Sequence, residues 1–598
     1  MREGDLTSAA MASRRSLGLG LALSLFASAF GCQTPEPPPA APSPAVAKTG
    51  APAARTTPVV VALVVDQLAA WIASERWPRF PASGGFARLV REGTLVPSMR
   101  YAHAVTDTAP GHAALFSGAV PRESGIFGNE TIDAAGEALS VVRDDDAKLV
   151  HPAISRALVS SSAKRLRVEN VADRLRSAHP GAFIVSVSIK DRGAILPGGH
   201  RPTAAVWFDT KEVRFVTSTA FGAALPAWVE PHGSRTAVME ALVPWERALP
   251  DLPGMTPDEQ PGEGDEAGYG TTFPHRTSGL AQPGRAFRTH PAADRTLLAL
   301  GLDALATAPP GEPALLMVSL STHDYVGHVF GPDSVEAWEE LGQLDASLGA
   351  FFAALDQRYG SNGWYAALSA DHGSMSMPEV IASRPHCAPG APTDPWERPC
   401  AGGQRIDTDA LALAVSRAAS LAAGAGARDV VRGMADPYVL MGDGVRGLAP
   451  EVASRVDAAI RRAAEAVPGV RKIVPVDGLP ATCPPMENDE RLGEDARIDA
   501  LVCRSVAPKS GAHAGGYYVV TKPGAFFDAR IVRGAGTSHG SPYLYDRTVP
   551  MVVRAPGRVA AGARVTEATD FRAFARTLSS LLGVQAPAAA SGGRDLAR

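Results

Sequence analysis

The chain has 598 residues, of which 45% are hydrophobic, and its formal net charge is −4 at pH 7. A chain of this length can bury a large core, and its near-neutral charge gives no indication of a specific nucleic-acid partner. Its 59 glycines and 50 prolines indicate many loops and argue against a coiled coil or a repeat array.

Residues 1–32 are predicted to be a signal peptide of the lipoprotein type. Arg14 and Arg15 precede an apolar or small-residue run over residues 17–30, which is shorter than the ~20 residues that span a bilayer. Gly31 and Cys32 resemble a bacterial lipoprotein cleavage site, so Cys32 is the expected lipid-bearing residue. An ordinary signal peptide is the alternative. We expect an exported bacterial protein, periplasmic or tethered to the outer membrane through this anchor alone.

Residues 33–57 are rich in proline and alanine, which is typical of a semi-extended tether, and the fold is predicted to occupy residues 58–598. That part contains four cysteines, and an even number in an exported chain favours disulfides. The pairs Cys387–Cys400 and Cys483–Cys503 are the simplest of three connectivities, because both close short loops. Four free thiols are the alternative.

Several short runs are apolar and rich in β-branched residues, which predicts buried parallel strands. They cover residues 59–65, 183–189, 314–320, 365–369 and 550–553, with helical patterns over residues 291–306, 334–355 and 571–582. This alternation predicts a doubly wound α/β sheet. Residues of about 200–288 and about 378–534 interrupt it. We expect both insertions to roof the active site, the second as a cap.

Polar side chains follow several of these runs, where α/β enzymes place their ligand sites. Asp324 and His328 are four residues apart, so on a helical turn they share a face and suit one metal ion. Three carboxylates and three imidazoles are what two Zn²⁺ ions need if each keeps an open position. The six candidate ligands are Asp66, Asp324, His328, Asp371, His372 and His539.

Three further residues suit phosphate chemistry. Thr108 precedes Ala-Pro-Gly-His and is predicted at a helix N-terminus, which favours an anion. Its hydroxyl is interpreted as a nucleophile activated by a metal, with a helix cap as the alternative. Lys190 and Arg192, in the segment KDRG, offer two cations to phosphate oxygens, with a salt-bridged surface turn as the alternative.

The order of motifs D…TxPGH…N…KDR…DxxxH…DHG…TxHG resembles the alkaline phosphatase superfamily over about residue 58 to the C-terminus. It is most similar to the bacterial branch of phosphate monoesterases that uses threonine as nucleophile, which is related to nucleotide pyrophosphatase/phosphodiesterases. The resemblance implies an alkaline-phosphatase-type fold and two Zn²⁺ ions. One would bind Asp324, His328 and His539, and the other Asp66, Asp371 and His372 with Thr108 bridging toward it. Asn129, Lys190 and Arg192 would then bind phosphoryl oxygens.

Lys190 and Arg192 favour one activity within that superfamily. A phosphate monoester dianion has three non-bridging oxygens to neutralise, which suits two cations. Diesterases of the same fold usually lack this pair of cations. We therefore expect an exported, monomeric two-zinc alkaline phosphatase that hydrolyses small-molecule phosphate monoesters through a phospho-threonine. A phosphodiesterase or nucleotide pyrophosphatase is the alternative. A catalytically silent surface lipoprotein that binds phosphate or metal is a distant one. A sulfatase is disfavoured, because its Cys or Ser motif is absent.

Overall fold

The computed structural model describes residues 59–597, apart from residues 134–136, 155–156, 385–386, 388–393, 425–428, 508–515 and 529–530. The predicted signal peptide, Cys32 and the tether lie outside the described residues. All described residues belong to the unit Pro52–Arg598. Within them, we find no helix that has both the length and the apolar character needed to cross a bilayer.

The strands in the first part of the chain are β1 (Val59–Val65), β2 (Thr94–Arg100), β3 (Glu130–Ile132), β4 (Ala138–Ser140), β5 (Arg143–Val150), β6 (Val159–Ser161), β7 (Phe183–Ser188), β8 (Ala204–Asp209), β9 (Arg214–Ser218) and β10 (Ala314–Leu320). Those that follow are β11 (Trp364–Ser369), β12 (Gln404–Ile406), β13 (Val431–Ala435), β14 (Tyr438–Met441), β15 (Val470–Pro475), β16 (Tyr517–Thr521), β17 (Ala525–Phe527), β18 (Thr548–Arg554), β19 (Ala563–Arg564) and β20 (Thr569–Asp570).

The first nine helices are α1 (Ala70–Arg76), α2 (Gly85–Glu92), α3 (Thr108–Ser117), α4 (Pro121–Ser124), α5 (Val171–Ala178), α6 (Asp191–Gly198), α7 (Glu230–Gly233), α8 (Arg235–Ala241) and α9 (Pro283–Arg288). The others are α10 (Ala292–Ala306), α11 (Thr322–Phe330), α12 (Val335–Tyr359), α13 (Pro378–Ser383), α14 (Thr408–Ala423), α15 (Pro450–Glu465), α16 (Glu494–Ser505), α17 (Leu544–Arg547) and α18 (Arg572–Leu582).

A twelve-stranded sheet forms the centre of the molecule, in the order β19-β2-β18-β11-β1-β10-β7-β8-β9-β5-β6 with β20 beside β2. Its middle strands β11, β1, β10 and β7 are parallel, and the register places Val59 opposite both Ala314 and Trp364. Every residue of β1 is buried, as expected for a parallel strand covered on both faces. The predicted α/β class with a mostly parallel sheet is therefore confirmed.

The predicted direction of one strand is wrong. Residues 550–553 were expected to form a parallel strand, but β18 runs antiparallel to both of its neighbours, β11 and β2. All seven residues of β18 are buried. A strand covered on both faces has the same apolar pattern in either direction, so the sequence pattern does not encode the difference.

The segment of residues 200–288 does not act only as a roof. Its first part forms β8, which pairs in parallel with β7, and β9, which pairs antiparallel with β8. These pairings extend the central sheet. Val206 of β8 and Phe215 of β9 are buried in the main hydrophobic core. The expectation that the whole segment covers the active site is corrected to this extent.

The segment of residues 378–534 builds a second, smaller sheet in the order β13-β14-β16-β15. Helices α14 and α15 pack beside it, and Leu411, Ile460 and Val519 are buried in a core of its own. Both predicted disulfides are confirmed, with Cα–Cα distances of 5.5 Å for Cys387–Cys400 and 5.7 Å for Cys483–Cys503. That this segment forms a cap over the active site, and its boundaries, stay predictions.

Candidate active site

The predicted metal ligands lie at one edge of the central sheet. Asp66 directly follows β1, and Asp371 lies two residues after β11 ends. Asp324 and His328 lie on α11, which begins two residues after β10 ends. Because β11, β1 and β10 are parallel neighbours, their carboxyl ends meet at this edge. The sheet thus brings together side chains that are up to about three hundred residues apart in sequence.

The six candidate ligands form two groups. In the first, Asp324, His328 and His539 have ligand atoms within 4.8 Å of one another. In the second group, the ligand atoms of Asp66, Asp371 and His372 also lie within 4.8 Å of one another. All six side chains are buried. These are the two sets that the resemblance implies, and their oxygen and nitrogen atoms suit divalent metal ions.

Unpartnered polar atoms support this fit. In the described part of the chain, Asp66 Oδ1 and His372 Nε2 have no hydrogen-bond partner, although they lie 3.4 Å apart. Leaving such atoms buried without a partner is unfavourable, because they have lost their hydration. A cation bound between them would satisfy both. The residues present therefore fit a divalent metal in this group.

The charges of the site also favour bound divalent cations. Burial and the neighbouring charge of Asp371 raise the pKa of Asp66 to about 8. Burial also disfavours the charged form of Asp324, but His328 and Lys190 outweigh it and lower the pKa of that carboxyl. Three carboxylates in one buried site are short of positive charge, which divalent cations supply.

Lys190 lies between the two ligand groups. It occupies the N-cap position of α6, and its Nζ is 2.7 Å from Asp66 Oδ2, 2.6 Å from Asp324 Oδ2 and 3.1 Å from Thr108 Oγ1. Burial alone would lower the pKa of Lys190, but Asp324 and Asp66 raise it overall. The side chain therefore stays protonated and brings a positive charge to the Thr108 hydroxyl.

Thr108 is the first residue of α3, and Asp107 occupies the N-cap position of this helix. Thr108 is therefore not the cap itself, and its hydroxyl remains available beside the positive end of the helix dipole. Asn129 Oδ1 accepts a hydrogen bond of 2.8 Å from the Ala109 N–H. This contact directs the amide NH₂ of Asn129 away from the helix, where it can donate to a bound anion.

A cavity of about 220 Å³ opens above these residues. Asn129, Arg192, His328 and His539 line it together with Phe527 of the cap segment. The side chain of Arg192 is 23% exposed, so its guanidinium is accessible from the cavity. The cavity connects Asn129 and Arg192 to two metal ligands of the first group, as expected for a substrate pocket.

Sequence reasoning missed several residues that hold the ligands. His112 Nδ1 lies 3.1 Å from the ligand atom Asp371 Oδ2 and 2.8 Å from the Thr108 carbonyl oxygen, and its Nε2 is 2.9 Å from Ser319 Oγ. Asp107 Oδ1 lies 3.2 Å from His539 Nδ1. Gln67 also contacts both ligand groups. His112 is part of the TxPGH motif, but the other two have no pattern that distinguishes them from ordinary turn residues.

The comparison with known families is consistent with this geometry. Residues 60–388 match the model of the family described as type I phosphodiesterase / nucleotide pyrophosphatase. This range covers more than half of the chain, and the chain belongs to that family. The hydroxyl of Thr108 and the two candidate ligand groups described above lie within this chain.

Alkaline phosphatase PhoV of Synechococcus elongatus is 33% identical to this chain over 336 residues, which cover 54% of this chain and 60% of that protein. Alkaline phosphatase PafA of Elizabethkingia meningoseptica is 33% identical over 329 residues, which cover 53% of this chain and 60% of that protein. The matched region thus spans three fifths of the length of these relatives. The crystal structure of wild-type alkaline phosphatase PafA superposes with a TM-score of 0.74 at 24% identity, covering 91% of this chain and 99% of that one. This structural similarity establishes the shared fold.

Proposed function

We propose that this protein is an alkaline phosphatase that hydrolyses small-molecule phosphate monoesters with two divalent metal ions. The observation that carries the proposal is the position of Thr108, whose hydroxyl oxygen lies 3.1 Å from Lys190 Nζ while that ammonium contacts a carboxylate of each ligand group. A hydroxyl nucleophile, a cation and two metal-ligand groups thus converge on one point. The names of the relatives PhoV and PafA support the same activity.

The two ligand groups would hold the metals, with Asp324, His328 and His539 in one and Asp66, Asp371 and His372 in the other. We propose Zn²⁺ for both, because the donors are mixed nitrogen and oxygen atoms. When bound, such ions supply Lewis acidity at the attacking and leaving oxygens of an in-line displacement.

The chain's own residues then carry the covalent steps. Thr108 Oγ1 loses its proton to solvent and forms a bond to phosphorus, while the bond between phosphorus and the ester oxygen breaks. The ester oxygen leaves with its organic group and takes up a proton from solvent to become the alcohol. Water next attacks the phosphorus of the phospho-threonine, which releases phosphate and restores the Thr108 hydroxyl. Lys190 stabilises the negative charge that develops at Thr108 Oγ1, because its ammonium is already within hydrogen-bond distance.

Three side chains would bind the phosphoryl oxygens. Asn129 presents its NH₂ group, since its carbonyl oxygen is occupied by Ala109. Arg192 presents a planar pair of donors from the wall of the cavity, and Lys190 presents a single positive charge. The amide groups at the start of α3 add the positive end of a helix dipole.

Replacing the cations Lys190 and Arg192 tests the preference for monoesters. Each contacts oxygens whose charge is greatest in the monoester dianion, and losing such a contact costs ~2–4 kcal/mol, or roughly 30- to 1000-fold in rate. Lys190→Ala and Arg192→Ala should therefore lower kcat/KM for a monoester far more than for a matched diester. Lys164→Ala, which removes an exposed lysine paired with Asp146, is the control and should change neither value.

Equal losses on both substrates would show that these cations serve folding or general anion attraction. A wild-type enzyme that prefers the diester would favour the phosphodiesterase or nucleotide pyrophosphatase alternative. A metal-loaded chain with no turnover of either ester would favour the silent binding protein.

We also propose that the protein is exported, carries a lipid on Cys32 and acts as a monomer. The sequence pattern at Gly31-Cys32 supports the anchor, and the two disulfides suit an oxidising compartment. Cys32→Ser should release the protein into the soluble fraction or leave it unprocessed. A soluble wild-type protein with a different mature N-terminus would favour an ordinary signal peptide. Light scattering of the purified protein measures the oligomeric state.

A further inference from the structure

Gln67 has an unusual backbone conformation at the edge of the site. It directly follows the ligand Asp66, it is fully buried, and its φ of 67° lies in the left-handed region. This region is unfavourable for residues with a side chain, and glycine usually takes such positions. A buried glutamine that is held in this conformation requires a reason beyond closing the turn after β1.

The contacts of Gln67 supply one. Its backbone N–H donates to Asp371 Oδ1 at 3.2 Å, and its side-chain Nε2 donates to Asp324 Oδ1 at 3.0 Å. Asp371 and Asp324 belong to different ligand groups. One neutral residue therefore holds a carboxylate oxygen in each group. Its donors stabilise both negative charges without adding a charge of their own to the site.

Helix α11 is shaped around this side chain. A Cβ atom added at Gly327 would overlap Gln67 Oε1, so a larger residue cannot stand there without moving the amide. Gly327 lies between the two ligands that α11 carries, Asp324 and His328. The absence of a side chain at position 327 thus gives the glutamine the space from which it reaches Asp324.

We propose that Gln67 is a positioning residue that sets the relative placement of the two metal-ligand groups. This inference rests on the two-metal site of the proposed function. The left-handed turn aims the backbone N–H at the second group, and the side chain spans the distance to the first. Groups that orient a metal ligand in this way typically change metal affinity by about 10- to 100-fold when they are removed.

The first test is Gln67→Gly. Glycine keeps the left-handed turn and the N–H that contacts Asp371, but it removes the amide that contacts Asp324. One of the two metal ions should therefore bind about 10- to 100-fold more weakly, while the other keeps its affinity. Competition with a chromogenic zinc chelator measures both dissociation constants, independently of esterase activity. The melting temperature of the metal-free variant shows whether it is folded.

The second test is Gly327→Ala, which disturbs the glutamine without changing any residue that contacts a ligand. Alone, it should weaken metal binding in the same way as Gln67→Gly. Combined with Gln67→Gly, it should have no further effect, because the atom that the new methyl group overlaps is gone. Gly349→Ala in α12, whose added Cβ meets no atom closer than 3.4 Å, is the matched control and should leave both dissociation constants unchanged.

Two results would overturn the inference: wild-type affinity for both ions in Gln67→Gly, or additive effects in the double variant. Because metal binding is measured directly, these results leave the proposed esterase activity intact. A wild-type protein that binds two ions and shows no turnover would instead overturn the proposed function alone. A wild-type protein that binds no metal would overturn both.

Discussion

The ammonium nitrogen of Lys190 lies 3.1 Å from the hydroxyl oxygen of Thr108, although the two residues are 82 positions apart. The contact forms because α6 and α3 both begin at the same edge of the central sheet. It places a buried positive charge beside the proposed nucleophile. Negative charge that develops on the threonine oxygen is therefore stabilised by a group that needs no reorganisation.

Thr108→Ala should abolish most turnover while both metal ions remain bound. The change removes the attacking oxygen but none of the six ligand side chains, and losing a nucleophile costs about 10³-fold or more in kcat. Thr108→Ser, which keeps a hydroxyl, should retain part of the activity. Steady-state kinetics and trapping of the phosphorylated protein measure the effect. A kcat in Thr108→Ala within about tenfold of the wild-type value would show that another group attacks.

Removal of the metals should abolish activity, and two equivalents of Zn²⁺ per chain should restore it. The reason is that each buried ligand group has donor atoms for one ion. Asp371→Asn and Asp324→Asn should each weaken the binding of one ion, whereas Asp145→Asn at an exposed position should weaken neither. Elemental analysis together with kinetics measures both properties. An active preparation without bound metal would contradict the proposal.

Replacing Cys483 and Cys503 by serine should destabilise the protein by roughly 3 kcal/mol, the value expected for a loop of this size, since the two cysteines are 20 residues apart. The same replacement at Cys387 and Cys400, which are 13 residues apart, should cost about as much, because loop entropy changes slowly with length. Urea unfolding without reductant measures both.

Of the two double replacements, only the one at Cys483 and Cys503 should also reduce activity. Cys503 lies on α16, two residues before Ser505, whose Oγ accepts the N–H of Ala104 at 2.8 Å. Ala104 lies four residues before Thr108, so loosening α16 should disturb the start of α3. Equal kcat values in the two double variants would show that this path has no effect on the nucleophile.

His200 should give the protein a pH-dependent part of its stability. Its Nδ1 is 2.8 Å from Asp173 Oδ2, and this hydrogen bond raises the pKa of His200 above the ordinary value of 6.5. Because the pKa is raised in the folded state, the stabilisation is complete below pH 6.5 and is lost as the pH rises through the folded-state pKa. His200→Gln should therefore show a smaller fall in unfolding free energy from acidic to alkaline pH. Denaturant titrations across this range measure it, and parallel profiles would contradict the assignment.

The sequence by itself determined much of the fold and which six side chains the two candidate ligand groups contain. The buried runs that became β1 and β10 were predictable at their observed bounds, because strands covered on both faces need continuous apolar side chains. The spacing of Asp324 and His328 indicated a shared helix face, and α11 carries both. Local patterns are sufficient for such features, since the interacting residues lie near one another along the chain.

The tertiary structure decided what depends on distant neighbours. The direction of β18 follows from its partners β11 and β2, and the place of β8 in the sheet follows from β7. The role of Gln67 rests on hydrogen bonds to residues 304 and 257 positions away. A glutamine after a strand has no local signature that distinguishes these contacts from exposure to solvent. Only the packing of parallel strand ends at one edge brings its donors to both ligand groups, because that packing fixes distances the linear pattern does not contain.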